Sequence, residues 1–406
     1  MFESTSVTDN ARLLTRGKPL PGHRGVPLFG SMVSLGRAPL HITAMKMVNT
    51  YGSVFQIRLG NRPVVFLYGY NAIYKALVRQ PVVFAGRPDL FSLSLYNSLT
   101  PGKSTILFSS YDERWRLHRK IAESSLRHFT AGKQIVFVEV IVSEEADFVS
   151  LTSPTFMHSS WAWLRDTSAD RNAPGSEKDI LDHIVTTSQQ QYGLQKLERV
   201  GVTENMLLGT VIEFVGAGFD TVSATLEWCI IYMAAYPDVQ AVVQRELDSV
   251  AGRDRLPTWD YRNRLPLTRS CLLEIQRHAT AIPFSIPHCT TSDTVLDDMF
   301  IQKDTTVFVN LYFAHFYPTI WDEPESFRPR RFIAADGVNL DSDLTNYVFL
   351  FGLGRRRCVG AELAQIEVFL FFSILLHKFS FGSDVGDTIN LEPTDGISRR
   401  PKEFKF

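Results

Sequence analysis

The segment with the clearest chemical potential is Phe351-Gly-Leu-Gly-Arg-Arg-Arg-Cys-Val-Gly360, directly before a long apolar stretch. A cysteine thiolate can bind iron only where no side chain blocks its approach, and the glycines of this segment allow tight turns and close backbone contact. A helix beginning next to Cys358 would point its N–H groups and positive dipole end at the sulfur, which lowers the thiol pKa. The pattern favours an iron ligand at Cys358, with Phe351 shielding the sulfur side, over a buried cysteine in a basic turn.

A second group of residues lies in the helical pattern over 203–236. Gly216 and Gly218 each cost roughly 1 kcal/mol in a helix interior. Glycine is expected at such positions if the helix backbone must approach a flat ligand and if the helix is locally distorted. The alternative is a core helix with a contact face of small residues.

Two further pairs have helical spacing. Glu274 and Arg277 are three residues apart, and Trp115 and Arg119 are four apart, so each pair lies on one helical face. Taken alone, the spacing of Glu274 and Arg277 is common in surface helices.

The elements that must position these residues are mostly helical. Residues 54–59 and 63–68 predict a β-hairpin, and residues 150–176 predict a polar loop. Prolines interrupt 282–340, which mixes short strands and loops. The predicted class is mainly α with small β-sheets. A helical pattern begins at about residue 110. Further helices are predicted over 203–236, 238–250 and 267–278, and a last one from about 358 to 378.

Composition excludes several classes of protein. The 406 residues are 45% hydrophobic with a net charge of -1, which gives no case for general nucleic-acid binding. Four cysteines in a chain this long do not predict a secreted disulfide framework. No stretch approaches the roughly 18 apolar residues of a transmembrane helix, and the first 19 residues lack the apolar segment of a signal peptide.

The cysteine segment resembles the haem-binding loop of the cytochromes P450, Phe-x-x-Gly-x-Arg-x-Cys-x-Gly. Every position is filled, by Phe351, Gly354, Arg356, Cys358 and Gly360. The resemblance covers most of 19–145 and nearly all of 178–406. It implies the P450 fold, with haem b held between a long central helix (203–236) and the ligand loop (351–360). In this interpretation Cys358 is the metal ligand and Phe351, Arg356 and Gly360 contact the cofactor.

Three more motifs follow the family's order. Ala217-Gly-Phe-Asp-Thr221 is similar to the oxygen-activation motif, with Asp220 and Thr221 as catalytic residues. Glu274 and Arg277 are similar to a Glu-x-x-Arg helix whose partner would be Arg331, although Arg330 replaces the usual acid before it. The resemblance also implies four contacts with the haem propionates, by Trp115, Arg119, His288 and Arg356.

The closest likeness is to the animal family-one members, which oxidise planar aromatics and steroids. It rests on the strings at 216–222 and 283–288, and on Ala85-Gly-Arg-Pro-Asp-Leu90. The alternative for the implied pocket residues is ordinary core packing. The implied substrate contacts are Phe108, Phe214, Ala217, Phe219, Ile282 and Ile397.

The resemblance is weakest between 146 and 200, where the family has several helices that roof the pocket. This region is expected to be shortened and irregular, and the usual N-terminal anchor is expected to be missing ahead of the Pro-rich segment 19–27. The expected organisation is a single domain over 1–406 with a more open pocket. Water would then reach the iron more easily, and electrons could be lost to peroxide.

The implied function is a monooxygenase acting with O2 on a small hydrophobic substrate. Electrons would come from NADPH through cytochrome P450 reductase, with cytochrome b5 as a second donor. The expected location is the cytoplasmic face of the endoplasmic reticulum membrane, through peripheral contact and without nucleic acid. Two alternatives stay open. One is a truncated, haem-binding but inactive relative, and the other is an isomerase-like relative, which would not need Asp220 and Thr221.

Overall fold

The computed structural model describes residues 17–89 except 24 and 37, then 106–130, 180–383 and 388–402. These parts are mainly helical with small sheets, which confirms the predicted fold class. The helices are α1 (Met32–Leu35), α2 (Leu40–Tyr51), α3 (Gly69–Tyr74), α4 (Glu113–Thr130), α5 (Ile180–Tyr192), α6 (Leu194–Val200), α7 (Glu204–Ala235), α8 (Pro237–Ala251), α9 (Pro266–Ala279), α10 (Leu311–Phe316), α11 (Ser342–Asn346) and α12 (Ala361–Lys378). The strands are β1 (Gly22–His23), β2 (Val54–Leu59), β3 (Arg62–Leu67), β4 (His288–Cys289), β5 (Thr294–Leu296), β6 (Met299–Ile301), β7 (Thr306–Val309), β8 (Pro393–Thr394) and β9 (Arg400–Pro401).

The central helix α7 has clear start and stop signals. The Thr203 side chain accepts a hydrogen bond from the Met206 N–H, and Glu204 places negative charge in the first turn. At the other end Pro237 cannot continue the helix and instead occupies the first turn of α8. These signals explain why the predicted range of 203–236 agrees closely with the observed helix.

The largest sheet has the strand order β1-β2-β3-β7-β4. The predicted hairpin is present, with β2 and β3 antiparallel and Val54 opposite Leu67. Strand β7 comes from far along the chain and pairs in parallel with β3. It also pairs with β4, which places His288 at the edge of the sheet beside the cavity described below.

The main core is helical and surrounds α12. This helix is apolar on nearly all sides, and Phe369 to Leu376 are buried against α7, α8 and α9. A helix without a polar face is expected inside a protein. Burial of each such side chain contributes about 1.5–3 kcal/mol. The core thereby fixes the start of α12, and with it the cysteine loop, relative to α7.

The region expected to be irregular, 146–200, is partly helical. Residues 180–200 form α5 and α6, and Tyr192 packs with the cluster of apolar residues between α4 and α7. The expectation of irregular structure is therefore wrong for 180–200, while 146–179 lie outside the described residues. The predicted loop at 150–176 lies there too.

Helix α7 is, among the described residues, the one helix long and apolar enough to cross a membrane. Its buried residues pack against α9 and α12 in the main core. A central core helix meets the same criteria of length and composition, so this finding does not alter its interpretation as a core helix.

Candidate active site

The cysteine loop is held in a tight turn that only glycine allows. The Cys358 N–H donates to the Phe351 carbonyl at 2.8 Å. Gly354 has a φ of 70°, and an added Cβ would lie 2.0 Å from the Leu77 carbonyl oxygen. Gly360 differs from the expectation, since its φ is negative and an added Cβ would meet no protein atom. Glycine at this position therefore leaves space in the neighbouring cavity and is not required by the backbone turn.

A cavity of about 990 Å³ lies beside the cysteine loop. The Cys358 side chain opens into this cavity and is accessible from it, while protein surrounds the other sides of the residue. Burial raises the pKa of the free Cys358 thiol, although the Gly360 N–H and the guanidinium groups of Arg119 and Arg357 act to lower it. The expectation of a lowered thiol pKa is therefore wrong for the free thiol. A metal ion bound at Cys358 would deprotonate the thiol.

Helix α7 forms another wall of the cavity. Gly216 lines the cavity, and an added Cβ there would meet no protein atom. The Thr221 hydroxyl donates to the Ala217 carbonyl at 2.8 Å, one turn back along an unbroken helix. The helix is continuous through this segment, so the expected distortion does not interrupt it, and Gly216 leaves space beside it.

Asp220 also lines the cavity, but it is already bound by the C-terminal turn. Its carboxylate accepts hydrogen bonds from the Ser398 hydroxyl and, at 2.8 Å, from Arg400, which also pairs with Glu227. Burial by itself would raise the pKa of Asp220, but Ser398 and Arg400 hold it below its ordinary value. The carboxyl is therefore ionised at neutral pH.

A cluster of guanidinium groups occupies one edge of the cavity. It consists of Arg87, Arg119 and Arg356, all of which line the cavity. Burial and the neighbouring arginines lower the pKa of Arg87 to about 9 and that of Arg356 to about 8. In the described part of the chain, only Arg119 of the three has a carboxylate partner, Glu123 at 2.7 Å. This edge is therefore short of negative charge and suits an anionic ligand.

His288 belongs to the same edge. Its Nδ1 lies 2.7 Å from the Phe84 carbonyl, so Nδ1 carries a proton and donates. Burial, together with Arg87 and Arg356, lowers the pKa of His288 to about 3. The ring is therefore neutral, and its Nε2 could donate to an anion only if that anion raised the pKa enough to protonate the ring.

Trp115 has a different place from the expected one. Its indole N–H, the only donor of the side chain, donates to the Ile106 carbonyl at 2.8 Å. Trp115 is not part of the cavity wall, and the Arg356 guanidinium stacks 4.0 Å from its ring. In this arrangement Trp115 supports Arg356 from beneath, and its direct contact with the cofactor stays a prediction.

Phe219 is likewise not where it was expected. It packs against the main helical core and does not line the cavity, because it points to another face of α7. Ile397 does line the cavity but is 92% exposed, so the wall is open at this turn. The structure brings together these predicted residues around the cavity: Phe108, Arg119, Phe214, Ala217, Asp220, Thr221, Ile282, His288, Phe351, Arg356, Cys358, Gly360 and Ile397.

The predicted lock between Glu274, Arg277 and Arg331 is present outside the cavity wall. Glu274 accepts from the Arg277 Nε at 2.8 Å and from the Arg331 Nε at 2.9 Å. Glu274 and Arg277 are completely buried. Arg277 also donates to the carbonyls of His315 and Pro324. This network joins α9 to the Pro-rich segment that leads toward the cysteine loop.

Arg87 is a site residue that the motifs did not identify. Its Nε donates to the Leu107 carbonyl at 2.7 Å and its Nη1 to the Pro287 carbonyl at 2.9 Å. The sequence cue that could have identified Arg87 is the string Ala85-Gly-Arg-Pro. Its glycine, Gly86, passes close to the backbone of Cys289, and an added Cβ there would lie 2.5 Å from the Cys289 carbonyl oxygen. A residue directly after such a close approach is fixed in direction.

Comparison with known proteins agrees with this geometry. The Cytochrome P450 family model matches residues 20–160 and 162–406. This chain belongs to the cytochrome P450 family. Such proteins are monooxygenase oxidoreductases, and the chain is accordingly an enzyme of this type.

The chain is similar to named P450 relatives over most of its length. It is 31% identical to cytochrome P450 1A1 of Chelon saliens, covering 95% of this chain and 90% of the relative. It is 32% identical to cytochrome P450 1A2 of Oryctolagus cuniculus, covering 94% and 89%. The first alignment runs over 471 positions, more than the 406 residues of this chain, so it contains gaps.

Solved P450 structures have the same fold. A zebra fish cytochrome P450 with progesterone superimposes with a TM-score of 0.75 at 27% identity, covering 90% of this chain and 98% of that one. Another zebra fish cytochrome P450 structure, with abiraterone, superimposes with a TM-score of 0.73 at 28% identity, covering 90% of this chain and 97% of that one. The P450 fold is thereby confirmed.

The P450 family implies haem, and the residues of this cavity fit it. The propionate edge of the cofactor would supply the negative charge that Arg87 and Arg356 lack. Gly216 on α7 and Gly360 in the ligand loop leave room that a Cβ would take, as a flat ring requires. Cys358 is the side chain that would bind the iron.

Proposed function

We propose that this chain is a haem-thiolate monooxygenase that inserts an oxygen atom from O2 into a hydrophobic, planar aromatic or steroid-like substrate. The electrons come from NADPH through cytochrome P450 reductase, with cytochrome b5 as a second donor. The observation that carries the proposal is the shared cavity of Cys358, the arginine cluster and the glycine-bearing wall of α7. When bound, the haem supplies the oxygen chemistry, which an axial thiolate favours.

The protein's part is to hold the cofactor edge and to surround the cofactor with apolar surface. Arg87, Arg119 and Arg356 bind the propionates, while His288 approaches the same edge. Phe351 and Val359 line the cavity together with Cys358 and give the wall apolar surface beside the sulfur.

Asp220 and Thr221 control protons on the α7 side. Asp220 is ionised and about half exposed, so it can take a proton from solvent at a carboxylate oxygen. Thr221 donates its own proton to Ala217, which leaves its oxygen lone pairs facing the cavity to accept from water. Together they can hold a water and pass a proton inward.

The substrate class follows from the apolar part of the wall. Phe108 and Phe214 offer aromatic surface, and Ala217 leaves room beside α7. Aromatic side chains pack well against flat ligands. The solved relative that binds progesterone and the similarity to cytochromes P450 1A1 and 1A2 support a planar or steroid-like substrate.

The test is turnover of a planar fluorogenic ether by purified protein with NADPH and cytochrome P450 reductase. We expect dealkylated product, together with a peroxide yield above that of a cytochrome P450 1A1 measured in parallel, because the wall at Ile397 is open. Product, NADPH and peroxide are measured in the same sample. Haem binding with NADPH consumption but no product from a panel of planar ethers and steroids would favour the inactive relative instead.

We also propose peripheral contact with the cytoplasmic face of the endoplasmic reticulum membrane. An exposed apolar patch lies between β1 and the end of α1, and its five members are 47% to 77% exposed. Such patches commonly mark contact with a partner or a membrane. The members of this patch are Val26, Leu28, Phe29, Met32 and Val33.

The Leu28→Ser/Phe29→Ser/Val33→Ser variant tests this contact. We expect its affinity for phosphatidylcholine vesicles to fall by about tenfold or more, since each buried apolar side chain contributes about 1.5–3 kcal/mol. Vesicle co-sedimentation measures the change. Val338→Ser removes a comparably exposed apolar side chain elsewhere and should leave binding unchanged. Equal binding by the triple variant and the wild type would rule out this patch as the contact.

A further inference from the structure

Glu213 is a buried carboxylate on the cavity side of α7. It is 7% exposed and forms part of the cavity wall. Its Oε2 accepts the Ile106 N–H at 2.7 Å, and its Oε1 accepts the Leu107 N–H at 3.3 Å. Both oxygens therefore hold the backbone of one short segment, Ile106 and Leu107, called here the 106–107 turn.

The carbonyl groups of the same two residues bind the arginine cluster and Trp115. The Ile106 carbonyl accepts from the Arg356 Nη1 at 3.1 Å and from the Trp115 indole at 2.8 Å. The Leu107 carbonyl accepts from the Arg87 Nε at 2.7 Å. The 106–107 turn thus lies between an anion that takes its N–H groups and cations that take its carbonyl groups. In the peptide group that joins Ile106 to Leu107, both sides are bonded, so polarisation strengthens its hydrogen bonds.

We infer that Glu213 is a positioning residue: by fixing the 106–107 turn it sets Arg87 and Arg356 at the edge of the cavity that receives the haem propionates. Neither arginine has a carboxylate of its own among the described residues, so their directions depend on carbonyl groups. Arg356 donates to Ala85 and Ser109 as well as to Ile106, and Arg87 donates to Ile286 and Pro287 as well as to Leu107. Of these carbonyls, the two in the 106–107 turn belong to the segment whose N–H groups Glu213 holds. The inference rests on the proposed function, since it assumes that haem occupies the cavity.

The chemistry of the side chain decides what a substitution does. A glutamine at this position has one acceptor oxygen, and its NH2 group would face one of the two N–H donors. One buried N–H is then left without an acceptor, which the turn can relieve only by moving. Arg87 or Arg356 would lose a fixed carbonyl partner as a result.

A matched control is available on α8. Glu246 also accepts two backbone N–H groups, from Leu267 at 2.9 Å and Thr268 at 2.7 Å, and it also takes the Thr268 hydroxyl. It lies outside the cavity wall. Glu246→Gln therefore removes the same kind of interaction without touching the arginine cluster.

The experiment compares haem loss from purified holoprotein to excess apomyoglobin, followed by absorbance. We expect Glu213→Gln to lose haem about tenfold faster than the wild type, at the lower end of what outer partners of a cofactor site contribute. Amide hydrogen exchange at Ile106 and Leu107 should accelerate in the same variant. Glu246→Gln should change neither quantity, even where it lowers the melting temperature.

Unchanged haem loss and unchanged exchange at both amides in Glu213→Gln would overturn the inference, as would equal acceleration of haem loss in Glu246→Gln. If Glu213→Gln yields no folded protein, Glu213→Asp carries the same test, because it keeps the charge but withdraws both oxygens by one methylene. A wild-type protein that binds no haem contradicts the proposed function itself. The two failures are therefore distinguishable.

Discussion

Cys358→Ser abolishes the thiolate signature in the reduced, carbon-monoxide difference spectrum and reduces monooxygenase turnover by more than about a hundredfold. The loss should exceed the roughly 10–100-fold effect of removing an outer partner, because the ligand itself is changed. A serine hydroxyl fits the same space, so the loop keeps its shape. The spectrum and the haem content of the purified variant measure the outcome.

The other cysteines provide the control. Burial raises the pKa of the Cys289 thiol to about 11 and raises the pKa of Cys229 and Cys271 as well. Of the four cysteines, Cys358 is the one that lines the cavity. Cys289→Ser should therefore keep the spectrum of the wild type. A thiolate band that persists in Cys358→Ser would show that another sulfur binds the iron.

Short-range patterns in the sequence predicted the frame of the site. The boundaries of α7 follow from Thr203 and Pro237, and the cysteine loop follows from its glycines, since caps and turns depend on neighbouring residues. The long apolar stretch after Cys358 likewise located α12. These features need no knowledge of distant contacts.

The partners of the site residues could not be predicted in the same way. Ser398 and Arg400 bind Asp220 from 178 and 180 residues away, and nothing local announces such a contact. Trp115 has the motif spacing, yet its direction depends on the Ile106 carbonyl. Side-chain direction across distant elements is a property of tertiary packing, and the motif gives only the residue type.

Glu274→Gln should destabilise the fold by about 3–5 kcal/mol, because it leaves Arg277 and Arg331 charged in a buried site without their carboxylate. Since a domain has only about 5–15 kcal/mol of stability, most of the variant should fail to retain haem at physiological temperature. The temperature at which haem absorbance is lost measures the effect. The cavity wall is untouched, so the loss reflects folding rather than chemistry.

An exposed ion pair shows how far burial controls this result. Lys75 and Asp297 lie 2.5 Å apart, closer than Glu274 and Arg277, but their side chains are 52% and 30% exposed. Such a pair contributes about 1 kcal/mol or less, because water solvates both partners once they separate. Lys75→Gln should therefore lower the temperature of haem loss only slightly. Equal shifts in Lys75→Gln and Glu274→Gln would mean that the buried network does not hold α9 to the segment before the cysteine loop.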